Sequence, residues 1–215
     1  EYLAELTLSI MARQREKNPE RGYAQDFINV VDRIAPSLQN QESLKIVTNA
    51  GGLNPHSCAV ALGQLLADRG LGGIPIGVVA GDDLFNQLGS SDDTQWPHFD
   101  THAPLGGRVA QAVSANAYLG AQPICEALQQ GSRIVVTGRV ADASLTVGPA
   151  MYHYGWDWDN WDRLAAASVA GHLIECGAQV TGGYRTDWRE ASLARIGYPI
   201  VEIAENGQLT VTKPD

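Results

Sequence analysis

The stretch IVVTGRVADASLTVGPA, residues 134–150, joins a short apolar run to a second apolar stretch through a polar turn. Residues 134–137 are β-branched throughout, as is typical of a strand covered on both faces. Gly138 interrupts the run, and the small and apolar residues that follow predict a helix. Arg139 and Asp142 therefore stand at the mouth of a predicted buried strand, where a ligand could meet them.

The same strand–loop–helix unit recurs along the chain and predicts an α/β fold. Short apolar strands that alternate with helices indicate a mostly parallel sheet flanked by helices, with Rossmann-like layering. We expect Pro36 to end the second helix and Gly70 to close the third. The predicted strands cover residues 44–47, 76–80, 110–115 and 134–137. The predicted helices cover residues 2–16, 23–35, 55–69, 121–130 and 160–176, with a short one at 84–88.

The end of the chain carries a different signal. Two alternating runs are joined by Asn206-Gly207, which predicts a two-residue β-hairpin at an edge, over residues 199–213. Residues 89–108 are polar and irregular, include His98 and His102, and predict a long surface loop. We expect one α/β domain over residues 1–215.

Composition excludes several classes of partner. The chain has 15 Lys and Arg against 24 Asp and Glu, for a net charge of −9. Nucleic acids and anionic membranes both require clustered cations, so neither is an expected partner. Cys58, Cys125 and Cys176 are odd in number and form no CxxC motif, which favours a reducing compartment, the cytoplasm, over a disulfide framework.

The loops after the four predicted strands suggest a ligand site. In parallel α/β sheets, ligands bind beyond the carboxyl ends of the strands, so these loops are expected to share one crevice. Ordinary turn chemistry is the alternative for each loop taken alone. The candidate substrate-binding residues of these loops are Asn49, Gly51, Gly52, Asn54, Asp83 and Asn116.

The first loop, NAGGLNP, could present backbone amides and a helix N-terminus to an anion. Alternatively, its glycines make a tight turn and Asn54 caps the helix that Pro55 begins. Neither GxGxxG nor GxxxxGK[ST] occurs, so the sequence contains no nucleotide-binding motif and the cofactor stays unknown. In the second loop, Asp82 is a candidate base or metal ligand, while Asp83 is expected to cap the short helix that follows.

The candidate catalytic residues are Asp82, Arg139, Asp142, His172 and Glu175. Arg139 could bind a carboxylate or phosphate through two parallel hydrogen bonds, with Asp142 holding it or acting as base. An internal ion pair, with Asp142 or Ser144 as a helix cap, is the structural alternative. His172 and Glu175 lie one turn apart on a predicted helix and could form an acid/base pair. A divalent metal is a possible cofactor, with Asp82 and His172 as candidate ligands.

Several long motifs resemble those of the acyclic terpene utilisation family, the AtuA-type proteins. The resemblance covers nearly the whole chain and rests on the following segments: VTNAGGLNP, AGDDL, SANAYLGAQPICEAL, GSRIVVTGRVADASLTVGPA, GWDWDNWDRLAAASVAGHLIECGAQVTGG and TDW. The resemblance implies that this chain is an internal part of the family's N-terminal domain. Family members begin with a glycine-rich strand–loop–helix that should add a loop to the same crevice.

The resemblance also implies a role in bacterial breakdown of acyclic terpenes, in which branched acids are handled as CoA thioesters. We therefore expect an enzyme that acts on an acyl-CoA, by C–C cleavage or hydration, with a small-molecule substrate as its partner and a homo-oligomeric state. A non-catalytic scaffold subunit, docked through the tryptophan-rich residues 156–161, is the alternative. A nucleotide-dependent enzyme is a third, weaker hypothesis.

Overall fold

The computed structural model describes residues 1–88, 96–190 and 192–214. These residues form two compact units. The sheet unit comprises Tyr2–Leu119 and Ser132–Val140. The helical unit comprises Glu1, Gly120–Gly131 and Ala141–Asp215. Each unit is considered by itself below.

The sheet unit is built around a parallel three-stranded sheet in the order β1-β3-β2. The central strand β3 is completely buried, and Ile134 pairs with Ile46 on one side and with Ile76 on the other. Its strands are β1 (Ile46–Thr48), β2 (Ile76–Val79) and β3 (Ile134–Thr137). Its α-helices are α1 (Ala4–Lys17), α2 (Asp26–Asn40), α3 (Pro55–Asp68) and α4 (Phe85–Leu88), and Gly106–Gln111 forms a 3-10 helix.

The core of the sheet unit lies between the strands and the helices α2 and α3. Each helix contributes one apolar face, as the spacing of its leucines and valines requires. The side chains of Val31, Leu38, Cys58 and Leu62 are inaccessible to solvent and belong to the same apolar cluster as Ile134. This packing fixes the sheet and therefore the positions at which its strands end.

Four parallel strands were predicted, and among the described residues the parallel sheet has three. The predicted strand at residues 110–115 is wrong, because the chain there leaves a 3-10 helix and forms only an isolated bridge between Asn116 and Asp83. Of these residues only Val113 is β-branched, and it is 65% exposed. The segment therefore lacks the buried apolar side chains that would stabilise a strand. The mixed α/β class is confirmed, and Rossmann-like layering stays a prediction.

Pro36 does not end α2, contrary to expectation. The helix continues through Pro36 to Asn40, because its last turn buries Leu38 completely and so compensates for the hydrogen bond that proline cannot donate. Gly70 does close α3 as predicted, with a φ of +74°. In the predicted loop, His98 and His102 are exposed, while residues 89–95 lie outside the described residues.

The helical unit contains three α-helices, α5 (Gln122–Gln129), α6 (Ser144–Tyr154) and α7 (Trp161–Glu175), and α6 packs against both α5 and α7. A Cβ at Gly148 would lie 2.7 Å from the Ile124 side chain, so α5 and α6 approach closely at this glycine. The N-cap residue of α6 is Ala143, so neither Asp142 nor Ser144, the two residues of the structural alternative, occupies the N-cap position.

The predicted C-terminal hairpin is confirmed as an antiparallel pair of strands, β4 (Ile200–Ile203) and β5 (Leu209–Thr212), which form their own two-stranded sheet. Trp156 anchors it, because the indole Nε1 donates a hydrogen bond to the Glu205 carbonyl at 3.1 Å. Within the described part of the chain, no helix has both the length and the apolarity that crossing a bilayer requires.

Candidate functional site

The three strands of the sheet unit bring three buried polar residues to one edge. Asn49 follows β1, Asp82 follows β2 and Arg139 follows β3, and each is less than 5% exposed. Parallel strands place their carboxyl ends on the same side, so this convergence follows from the topology. We call these three residues, together with Asn116, the sheet-edge cluster.

Asp82 holds the sheet-edge cluster together. Its Oδ2 accepts a hydrogen bond from the backbone N–H of Arg139 at 2.7 Å and another from Asn116 Nδ2 at 2.8 Å. The Asp82 carbonyl accepts a further bond from the N–H of Ala117. One buried carboxylate therefore joins the end of β3 to the segment that carries Asn116. A carboxylate at 3% exposure needs such donors, because desolvation without them is costly.

Gly138 is required by this carboxylate. A Cβ at Gly138 would lie 2.1 Å from Asp82 Oδ1 and 2.6 Å from its Cγ. No other residue fits without displacing the carboxylate. The glycine that interrupts the apolar run in the sequence therefore makes room for Asp82, which follows the neighbouring strand β2.

The Arg139 side chain is buried at the mouth of β3. Its guanidinium carbon lies 4.5 Å from the centre of the Tyr118 ring, a cation–π contact. Its Nη1 is 3.5 Å from the backbone carbonyl oxygen of Tyr2. The arginine is thus oriented by an aromatic face on one side and lies near a carbonyl acceptor on the other.

Asn49 makes a reciprocal pair of hydrogen bonds with the main chain of Tyr2. Its Oδ1 accepts from the Tyr2 N–H at 2.7 Å, and its Nδ2 donates to the Tyr2 carbonyl at 3.0 Å. The carbonyl of Tyr2 therefore lies near both Asn49 and Arg139. Asn49, a candidate substrate-binding residue, thus contacts the protein's own backbone in this structure.

The glycines of the first loop have packing roles in this structure. A Cβ at Gly51 would lie 2.5 Å from the Thr137 carbonyl oxygen. Gly52 has a φ of +51°, and a Cβ there would lie 2.0 Å from the sulfur of Met11. Asn54 caps α3 as expected: its Oδ1 accepts from the Ser57 N–H, while its Nδ2 donates to two carbonyls of the chain before Gly22.

Asp83 connects the loop after β2 to α1. Its Oδ1 accepts a hydrogen bond from the Phe85 N–H, which confirms the predicted cap of the short helix α4. Its Oδ2 forms an ion pair with Arg15 Nη1 at 2.8 Å, and the same nitrogen donates to the Leu53 carbonyl. Both charged side chains are partly exposed, so the pair adds little stability.

Two cavities flank α1 in the sheet unit. The smaller, beside Asn49, Gly138 and Arg139, has a volume of about 10 Å³, which is room for no more than one water molecule. The larger is an open groove of about 490 Å³ between α1 and the side chains of Phe85, Ala112 and Val113. We call it the α1 groove. Arg13 and Arg15 lie along it, and it is large enough for a small organic ligand.

The other three candidate catalytic residues belong to the helical unit. His172 is exposed on α7, and its Nδ1 lies 2.9 Å from the Ser168 carbonyl oxygen, so this nitrogen carries the proton and Nε2 is the acceptor of the neutral ring. Glu175 lies at the end of α7 and accepts a hydrogen bond from the Cys176 thiol at 3.4 Å. Asp142 is half-buried just before α6.

Asp142 and Glu175 come together with Glu1, which groups with the same unit. Carboxylate oxygens of these three residues, which we call the acidic trio, lie within 4.8 Å of one another. Such a set of hard oxygen donors suits a divalent cation. Burial, and next the charge of Asp142, raises the pKa of the Glu1 carboxyl to about 7. His172 is not part of this trio, nor is Asp82, although both were the expected metal ligands.

Sequence analysis missed two residues of the sheet-edge cluster's surroundings, Tyr118 and Tyr2. Tyr118 lies two positions after Asn116, and an aromatic residue so close to a candidate site residue could have been predicted to contact the Arg139 guanidinium. No local pattern marks Tyr2, because its position depends on where α1 packs.

The chain matches no curated protein and no solved structure. The family described as "Acyclic terpene utilisation family protein AtuA" matches residues 1–215, which include the sheet-edge cluster, the α1 groove and the acidic trio. The resemblance carried by the strand-end motifs is thereby confirmed over the whole chain, and the protein belongs to the acyclic terpene utilisation (AtuA) family.

Proposed function

We propose that this chain is part of a catabolic enzyme of acyclic terpene or branched-chain acid degradation that acts on a CoA thioester, as a C–C lyase or a hydratase. The ligand binds at the carboxyl ends of the parallel strands. Family membership supports the class of pathway. The observation that carries the proposal is the buried Arg139 at the end of the central strand, 4% exposed and stacked on Tyr118.

A buried arginine contributes little to stability compared with an apolar side chain of similar size. Its planar donors suit a carboxylate or a thioester carbonyl, and stacking on Tyr118 presents them in one orientation. Asn116 adds a second sign of a polar ligand or a bound water. Its Oδ1 is buried, and no donor within the described residues reaches it.

The α1 groove supplies the space that an acyl chain needs. Phe85, Ala112 and Val113 form its apolar side, while Arg13, Arg15 and Glu16 of α1 lie along it. Such a lining suits a branched hydrocarbon attached to an anionic group. The groove belongs to the same edge of the sheet, because Arg15 contacts both the loop after β1 and Asp83 after β2.

In this proposal Asp82 is a positioning residue, since both of its hydrogen bonds keep Arg139 and Asn116 in place. Considered by itself, the helical unit carries the candidate proton-transfer groups Asp142, His172 and Glu175, and His172 presents Nε2 as a proton acceptor. A metal ion held by Glu1, Asp142 and Glu175 would act there as a Lewis acid. A cytoplasmic location and a homo-oligomeric state remain part of the proposal.

Thermal unfolding of the full-length protein against a ligand panel tests the proposal. The panel contains free CoA, branched acyl-CoAs, terpenoid acids, nucleotides and divalent metals. A ligand at a hundred times its dissociation constant adds about 2.7 kcal/mol of stability, which a melting curve resolves. We expect stabilisation by branched acyl-CoAs that Arg139→Ala abolishes and the surface control Arg69→Ala retains. Stabilisation by nucleotides alone, or by no member of the panel, would refute it.

A scaffold subunit is the second candidate, and one observation favours it. Trp158 is 48% exposed and Trp161 is 69% exposed, although Trp156 beside them is buried. Exposed tryptophans are enriched at protein interfaces. Light scattering of the full-length protein and of Trp161→Ala would decide: a native oligomer that dissociates in the variant supports an interface here, and a monomer in both excludes self-association through it.

A further inference from the structure

The main chain of Tyr2 occupies the position that the proposed function assigns to a ligand. Asn49 Nδ2 donates to the Tyr2 carbonyl at 3.0 Å, and Arg139 Nη1 is 3.5 Å from the same oxygen. Asn49 Oδ1 accepts from the Tyr2 N–H at 2.7 Å. Two side-chain donors and one side-chain acceptor at the sheet edge therefore already have partners within the protein.

The residues that follow Tyr2 fill the rest of the crevice. Ala4, Thr7, Leu8 and Met11 line the cavity beside Arg139, whose volume is only about 10 Å³. Met11 is 2% exposed, and its sulfur packs against Gly52, where no side chain would fit. A cavity of this size leaves no room for an acyl group beside Arg139 on this side, so a ligand that binds there must displace the segment.

The helix α1 buries fewer side chains than α3, and its own anchoring contacts through Arg15 lie beyond residues 2–11. Within the described residues no side chain caps α1, and of its fourteen residues only Met11 and Ala12 are buried. Leu6 and Ile10 on the same helix are 67% and 55% exposed. By contrast, α3 has a capping asparagine and buries four side chains. A helix with few buried contacts belongs to the part of a protein that opens most readily.

We infer that residues 2–11 are a displaceable cover over the sheet-edge cluster, and that the group replacing them is a carboxylate or a thioester carbonyl. This inference rests on the proposed function. Both groups that reach the Tyr2 carbonyl are donors, so the incoming group supplies an acceptor oxygen. A hydroxyl or amide N–H beside that oxygen replaces the Tyr2 N–H at Asn49 Oδ1. An apolar group would leave buried donors without partners and is disfavoured.

The first test compares binding of 3-methylbutanoyl-CoA to the full-length protein, to Met11→Ala and to Leu38→Ala. Met11→Ala removes the main buried contact of the cover. The fraction of molecules in which the cover is open then rises, and the apparent affinity for the ligand rises with that fraction. We expect at least threefold tighter binding for Met11→Ala and a change of less than twofold for Leu38→Ala, a core truncation in α2. Equal or weaker binding by Met11→Ala, with native binding intact, overturns the inference.

Hydrogen exchange provides a second measurement that needs no variant. Saturating 3-methylbutanoyl-CoA is expected to accelerate exchange of the amides of residues 4–11 at least tenfold and to leave the α3 amides unchanged or slower. If the native protein binds this probe without faster exchange in residues 4–11, the cover alone is refuted. Absence of binding by both the native protein and Met11→Ala refutes the proposed function, and the cover with it.

The ligand group is tested in the opened background. Adding Asn49→Leu to Met11→Ala removes the amide donor while the cover is already loosened. We expect at least tenfold weaker binding than for Met11→Ala alone, with an unchanged circular dichroism spectrum. Equal affinity of the two variants would exclude an oxygen acceptor held by Asn49.

Discussion

Replacing Asp82 by alanine is expected to destabilise the sheet unit far more than the loss of an ordinary ion pair. The substitution leaves two buried donors without a partner, the backbone N–H of Arg139 and the side-chain amide of Asn116. An unsatisfied buried donor costs about 1–3 kcal/mol, so the two together cost about 2–6 kcal/mol. The matched control is Asp32→Ala, which removes a carboxylate from an exposed bidentate pair with Arg69 and costs about 0–1 kcal/mol.

Native-state hydrogen exchange at the amides of β3 measures this difference. These residues are fully buried in the central strand, so their exchange reports opening of the whole sheet unit. A loss of 2 kcal/mol accelerates exchange about thirtyfold. We expect at least that acceleration in Asp82→Ala and less than about fivefold in Asp32→Ala. Equal acceleration in the two variants would show that Asp82 is not a structural link between the strand ends.

Three further predictions concern Gly138, Cys58 and Trp156. Gly138→Ala places a methyl group 2.1 Å from Asp82 Oδ1, so we expect it to lower the free energy of unfolding by about 1–3 kcal/mol. The loss should be smaller when Asp82→Ala is also present, and a double-mutant cycle measured by hydrogen exchange in β3 tests this. Burial raises the pKa of the Cys58 thiol to about 12, so its contribution to stability is complete below about pH 8.5 and declines above it. Urea unfolding at pH 8 and pH 10 should therefore show about 2 kcal/mol less decline in Cys58→Ala than in the native protein. Trp156→Phe removes the bond to the Glu205 carbonyl, so the hairpin amide of Ala204 should exchange about fivefold faster, while exchange in β3 stays unchanged.

The sequence predicted elements whose local signals agree with their burial. β3 is β-branched and completely buried, and the Asn206-Gly207 turn joins the two strands of the hairpin, so both were found. The predicted strand at 110–115 failed because its alanines and polar residues offer a sheet little to pack. Pro36 misled the prediction of the α2 end because burial of Leu38, a tertiary effect, outweighed a local rule.

For the site, parallel topology alone was sufficient to place Asn49, Asp82 and Arg139 at one edge. It could not identify the partners that these residues have there. Asp82 accepts the backbone N–H of Arg139, because the loop after β2 runs beside the end of β3. Contacts between residues 57 positions apart follow from strand order, which no local pattern encodes.

In the proposed displacement, the cover and the ligand would compete for the same hydrogen-bonding groups at the sheet edge. A carboxylate oxygen in place of the Tyr2 carbonyl would restore the bonds donated by Asn49 Nδ2 and Arg139, and a donor beside that oxygen would restore the bond to Asn49 Oδ1, so hydrogen bonding alone would favour neither state strongly. The difference must then come from apolar contacts, which are Met11 against Gly52 for the cover and the branched chain for the ligand. Under this proposal, a ligand with a short or polar tail would gain too little to displace the cover. The proposed preference for branched acyl groups would then arise from the displacement step as well as from the fit of the α1 groove.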